Sequence, residues 1–368
     1  MVGGTETEMG SRFTTFAVLC VAVACGRSDL LHVATGEPSA AASGGAAGSG
    51  LGGTAAPATG GTTTAGGNAG GSGDVVHTVT EYAIPTIRSQ PRGIVAGSDG
   101  NLWFTEYNAD QIGRITPTGV MTEFPIETPF AGLFGIAAGR DGNLWFAEVH
   151  AHKVGFASTR GIVTEFELPS DTSLPKGVAV GPDGAPWFTG YLGDGIVRLT
   201  TAGTSNVLSC GLDGVWVGIV TGPDGCLWLT GNGQGTLCRL SLDGSAKLFE
   251  LPDATSQPWG ITVGADSNLW FAEYGGSRIG RITPQGVLSE FPIPTERSYP
   301  VSITAGPDGN LWFTEDAGNN IGRITTTGEI TEFPIPTPQS GPHGIAVGPD
   351  GNLWFTEQTG NKIGRINP

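Results

Sequence analysis

Positive charge is scarce in this sequence. Eighteen Lys and Arg stand against 34 Asp and Glu in 368 residues, a net charge of −16. No basic stripe exists to neutralise phosphates, so a nucleic-acid partner is excluded. Cysteine is scarce too, with five residues. No Cys-x-x-Cys pair, His-Glu-x-x-His helix or phosphate-binding glycine loop occurs, which removes the ready-made zinc, metalloprotease and nucleotide sites. No Ser-His-Asp spacing suggests a hydrolytic triad. The apolar run "FTTFAVLCVAVAC", Phe13 to Cys25, is too short to span a bilayer. From residue 75 onward nothing follows a helical period, so a helical fold is excluded as well.

Glycine and proline are abundant instead, at 62 and 25 residues. Part of the glycine lies in a run such as "SAAASGGAAGSGLGGTAAPATGGTTTAGG". It has no apolar periodicity and cannot offset its chain entropy by burial, so residues 26–74 read as a flexible tether. Before it, Ser11-Arg12 and the Phe13–Cys25 run read as an export signal over residues 1–25. The small residues of "AVAC" before Cys25 resemble a lipoprotein cleavage site. Two outcomes are open: a lipidated Cys25 anchored to a membrane, or simple secretion. Either places the protein outside the cytoplasm.

The rest of the glycine belongs to a repeat. Tryptophans of "LWFTE"-like segments fall at 103, 145, 187, 228, 270, 312 and 354, at spacings of 42, 42, 41, 42, 42 and 42. Within one period, "SITAG", "LWFTE", "IGRIT" and "ITEFPIP" are strand-like and separated by turn signals, the first being Asp-Gly. Four short antiparallel strands repeated seven times predict an all-β fold over residues 75–368, a seven-bladed β-propeller. The chain reaches "KIGRINP" without the last blade's fourth strand, while "VTEYAIPT" (79–86) matches the later "ITEFPIPTP". The N-terminal strand is therefore expected to complete the last blade and close the ring. A closed ring needs no partner, so a monomer is expected.

Function has to come from positions that vary while the scaffold repeats. The residue that enters each channel-lining strand reads Arg92, Phe134, Lys176, Val217, Trp259, Val301 and His343 around the ring. This variable ring marks the expected ligand face, with Arg92, Lys176 and Trp259 as candidate substrate contacts. Phe134 and Trp259 could equally plug the channel mouth. Fourteen residues further on come Glu106, Glu148, Gly190, Gly231, Glu273, Glu315 and Glu357. Glu106 and Glu315 are candidate substrate contacts too, although these glutamates could simply bond loop amides. The arginines of "IGRI" and the Asp and Asn of "PDGN" read as structural. Cys226 and Cys238 are expected to face each other across a hairpin and form a disulfide, leaving Cys210 unpaired.

The phrases "GPDGNLWFTE", "NKIGRI" and "ITEFPIPTP" closely resemble the virginiamycin B lyase family over residues 79–368. The resemblance implies a seven-bladed propeller that opens streptogramin B antibiotics by metal-assisted elimination, normally with Mg²⁺. It makes His343, in its Pro-His-Gly setting, the catalytic acid/base and Glu357 the metal ligand. Three positions depart from the family pattern: Gly341 replaces an acidic residue, Val301 a histidine and Arg92 a tyrosine. Two functions follow as expectations. One is a C–O lyase acting on a cyclic depsipeptide or lactone. The other is a non-catalytic, surface-tethered propeller that binds a ligand or protein partner.

Overall fold

The computed structural model describes residues 61–64, 77–168, 174–190, 195–200, 202–203 and 205–368. The expected leader with Cys25 lies outside these residues, as does the expected tether apart from 61–64. Seven four-stranded antiparallel sheets form a ring of blades, with no helix among the described residues. Blade 1 shows the plan: inner strand Pro91–Ala96, then Leu102–Glu106, Gln111–Ile115 and outer strand Met121–Pro125. Blades 2 to 6 repeat it. Blade 7 takes Pro342–Val347, Leu353–Glu357 and Lys362–Ile366 from the C-terminal end and Thr78–Ala83 from the N-terminal end. Val79 pairs with Ile366 and Ala83 with Lys362, so the ring closes as the repeat required. Gly61–Thr64 pairs with Thr78–Glu81 as a fifth strand of this blade.

Each letter of "LWFTE" has its own packing task. The Leu and Phe face one neighbouring blade and the Trp faces the other, giving one apolar cluster per blade interface. In six blades the indole N–H donates to the Asp of the preceding turn, as Trp312 does to Asp308 at 3.1 Å. That turn carboxylate is therefore a core hydrogen-bond partner as well as a turn former. The Phe lies over the Gly of the paired "IGRI" strand. At Gly364 a Cβ would occupy the ring of Phe355, so only glycine fits. The "IGRI" arginine stacks on the Trp across from it, with Arg365 5.5 Å from the ring centre of Trp354. Arg365 also donates to the carbonyl of Pro117 in the next blade.

The threonine ties blades together at the axis. Thr314 Oγ1 accepts the Ser302 amide of its own inner strand at 3.1 Å and donates to the His343 carbonyl of the next blade at 2.8 Å. Thr356 makes the same clasp between Gly344 and Arg92 across the closure. Ala147 and Ala272 replace it in blades 2 and 5.

The expected Cys226–Cys238 disulfide is corrected: Cys238 is bonded to Cys210, with Cα atoms 6.3 Å apart, and Cys226 is free and buried. Strand register is the reason. Leu229, not Cys226, lies opposite Cys238, and Leu227 pairs with Leu240. Cys226 stands before its strand and meets Ser241 Oγ at 3.4 Å. Cys210 follows the outer strand of blade 3 (Ser205–Ser209), so the bond staples blade 3 to blade 4.

Candidate functional site

The inner strands bring the variable ring together. Arg92, Phe134, Lys176, Val217, Trp259, Val301 and His343 all line one axial cavity of about 180 Å³. Beneath them lies a ring of small residues, Gly93, Gly135, Gly177, Gly218, Gly260, Ser302 and Gly344, and below that a ring of Ile and Val. The small ring is dictated by how closely blades approach. A Cβ on Gly344 would run into the Arg92 carbonyl of the neighbouring blade. The aliphatic ring then gives the cavity an apolar floor.

His343 is 7% exposed. Its imidazole meets Phe134 edge-on at 5.3 Å and Trp259 at 6.4 Å between ring centres. Burial, together with the positive charges of Arg92 and Lys176, holds its pKa well below the usual imidazole value, against a weaker opposing effect of a hydrogen bond to the Arg92 backbone. The ring is therefore neutral at pH 7. Lys176, 9% exposed, sits over the faces of Trp259 (4.3 Å) and Phe134 (4.8 Å). Arg92 lies over Tyr107 (5.0 Å) and Phe134 (5.6 Å). These ring contacts give each cation a favourable quadrupole partner.

A family profile of virginiamycin B lyases matches residues 61–215 and 210–368. The chain belongs to the virginiamycin B lyase family. The solved virginiamycin B lyase of Staphylococcus aureus is 37% identical, with 79% of this chain and 99% of that one aligned at a TM-score of 0.76. A streptogramin B lyase structure is 38% identical over 79% and 97% of the two chains, also at 0.76. A catalytically inactive histidine-to-alanine variant of the S. aureus lyase with quinupristin is 35% identical, with the same TM-score.

The virginiamycin B lyase fold places the predicted residues in two groups. His343, Arg92, Lys176 and Trp259 converge at the channel mouth. Glu106, Glu315 and Glu357 do not line that cavity. Glu357 ends its strand opposite Pro342. It is fully buried on the face it shares with Phe355, where Glu81, Lys362 and Ser340 surround it. Burial first, and then the charge of Glu81, pushes its pKa up to about 8. The same arrangement recurs at Glu106 with Glu123 and at Glu315 with Glu332, each about 8, and at Glu273 with Glu290, about 7. These glutamates are buried partners of an outer-strand carboxyl. Both carboxylate oxygens of Glu106 and of Glu357 make no hydrogen bond to a loop amide.

A second ring escaped the sequence reading. The residues just after the ends of the second strands include Tyr107, Tyr274, Asp316 and Gln358. Tyr107 meets Arg92, Tyr274 meets Trp259 and Asp316 feels the Arg92 charge, so they form a rim beside the first ring. Tyr107 Oη lies 2.8 Å from His150 Nε2, Tyr274 stacks on Tyr299 at 4.9 Å, and Gln358 Nε2 donates to Asp316 Oδ1 at 3.1 Å. Asp316 Oδ1 comes within 3.1 Å of the place a Cβ on Gly341 would take. Burial raises the Asp316 pKa, opposed by the Gln358 hydrogen bond and the Arg92 charge. The signal was available, because this position also varies between repeats.

Proposed function

We propose that the protein is a carbon–oxygen lyase of the virginiamycin B lyase type that opens a cyclic depsipeptide or related lactone by elimination. The observation that carries this reading is His343: a buried, neutral imidazole at the axis of the propeller, with two cations beside it. In the proposed step His343 removes the proton from the carbon next to the one bearing the ester oxygen. The C–H electron pair becomes a C=C bond, the alkyl C–O bond breaks, and the ester leaves as a carboxylate. No water is consumed, so product and substrate have the same mass. Trp259 and Phe134 supply the apolar walls against which a substrate side chain packs. His343 is backed by the Thr314 clasp on its carbonyl, which fixes the backbone from which the ring projects.

The residues around His343 do not fit a resident Mg²⁺. Glu357 is turned into the blade interface, residue 341 is glycine, and the charged side chains of the ring, Arg92 and Lys176, are cationic. Among the described residues no group of three His, Cys, Asp or Glu is placed to hold a metal ion. No step is therefore assigned to a metal. That same departure supports the second reading, a binding propeller without turnover.

One experiment separates the two. The full chain is incubated with a streptogramin B lactone and the products are resolved by chromatography and mass spectrometry. An isomeric linear product is expected, reduced roughly 10²-fold or more in His343→Ala, the scale of a lost general base. A folded protein that leaves the lactone intact would sink the lyase reading and favour the binding propeller.

A further inference from the structure

Among the described residues, two cations reach the same small cavity. Lys176 and Arg92 enter it from blades 3 and 1, and both act on His343 through their charge. Phe134 lies between them, with Lys176 Nζ 4.8 Å from its ring centre and the Arg92 guanidinium 5.6 Å from it. Among the described residues, no Asp or Glu lines the cavity. At the rim, Asp316 offsets part of the Arg92 charge. In a protein of net charge −16, the axial cavity is thus a local positive spot with aromatic walls. Low-dielectric walls strengthen that field for anything that enters.

We infer that this mouth is an oxyanion subsite, in which Lys176 and Arg92, and not a divalent cation, hold a carboxylate whose aromatic or aliphatic body packs against Trp259 and Phe134. The size agrees. A cavity of about 180 Å³ is smaller than the ~300–1,000 Å³ that take a whole drug-sized ligand. It accommodates one ring or aliphatic chain with its carboxylate, while the remainder of a larger ligand lies over the rim of Tyr107, Tyr274 and Gln358. The chemistry agrees as well. Elimination of a ring ester turns a neutral carbonyl into a carboxylate, so the charge develops where the two cations already stand. Donors fixed at the site of developing charge lower the barrier without reorganising. In its catalytic meaning the inference rests on the proposed lyase reading; the binding site itself does not.

The test uses the full chain in EDTA, with phenylacetate as probe and neutral phenylacetamide as its isostere, followed by calorimetry. Phenylacetate is expected to bind and to weaken with salt, and phenylacetamide to bind about 10-fold or more weakly, the scale of a charge-assisted hydrogen bond. Lys176→Met should lose about 10-fold in phenylacetate affinity, and Lys176→Arg, which keeps the charge, should lose less. Urea melts of both variants show that each is folded. Added MgCl₂ should leave the affinity unchanged. The inference is overturned if phenylacetate does not bind, if the amide binds equally well, if Lys176→Met binds like the parent, or if binding appears only with Mg²⁺. Turnover of the lactone is scored separately. Carboxylate binding without turnover keeps the subsite and rejects the lyase; turnover that survives Lys176→Met and needs Mg²⁺ does the reverse.

Discussion

At the scale of single residues, the question is why His343 can act as a base at all. An exposed imidazole is half protonated near pH 6.5. Burial, Arg92 and Lys176 all disfavour the charged ring here and move that midpoint down. The neutral base therefore persists into mildly acid solution, and the acid limb of a kcat/KM profile is expected below pH 6.5. Lys176→Met removes one opposing charge and should shift that limb upward. A limb that stays in place in Lys176→Met would show that the two groups do not interact. Glu357 shows the limit of reading a site from spacing. The sequence puts it fourteen positions after His343, and the register does set it beside Pro342. Strand alternation then turns its carboxyl to the same face as Phe355, between blades, while His343 points to the axis. The spacing could be read; the facing could not.

At the scale of elements, the threonine clasp and the disulfide do separate jobs. Thr314→Val leaves the His343 carbonyl without its donor inside the ring, a loss of roughly 1–3 kcal/mol for a buried unsatisfied group. Urea unfolding should register it, and lyase activity should fall further than in Thr105→Val, whose clasp holds Phe134. The Cys210–Cys238 bond closes a separation of 28 residues, worth roughly 3–4 kcal/mol by loop-closure entropy. A Cys210→Ser/Cys238→Ser pair should lower stability on that scale, whereas Cys226→Ser should change little. Equal effects would mean that the bond between blades 3 and 4 adds no constraint. Blade number, strand order and closure were legible because a 42-residue period states them seven times over. The cysteine pairing was not, because it depends on a three-residue offset in one hairpin and on a contact between blades, which no local pattern encodes.

At the scale of the whole molecule, the buried glutamates repeat around the ring and their effects add. Glu106, Glu148, Glu315 and Glu357 titrate at about 8 and Glu273 at about 7, against 4.5 for an ordinary glutamate. Between those limits the folded protein holds protons that the unfolded chain has lost, so stability declines as pH rises from about 5 to 8 and levels off beyond. Calorimetric melting should show the highest Tm on the acid side of this window. Glu106→Gln and Glu357→Gln should each flatten the slope, and a Tm that climbs from pH 5 to 8 would contradict the buried, protonated state. Closure carries one more consequence, for timing during synthesis. The blade that bears His343 is built from segments as far apart as Glu81 and Lys362, which meet across 281 positions. Six blades can dock as they leave the ribosome, but the seventh waits for almost the entire chain. A prematurely terminated product thus carries Arg92, Phe134, Lys176 and Trp259 of the site and still lacks His343.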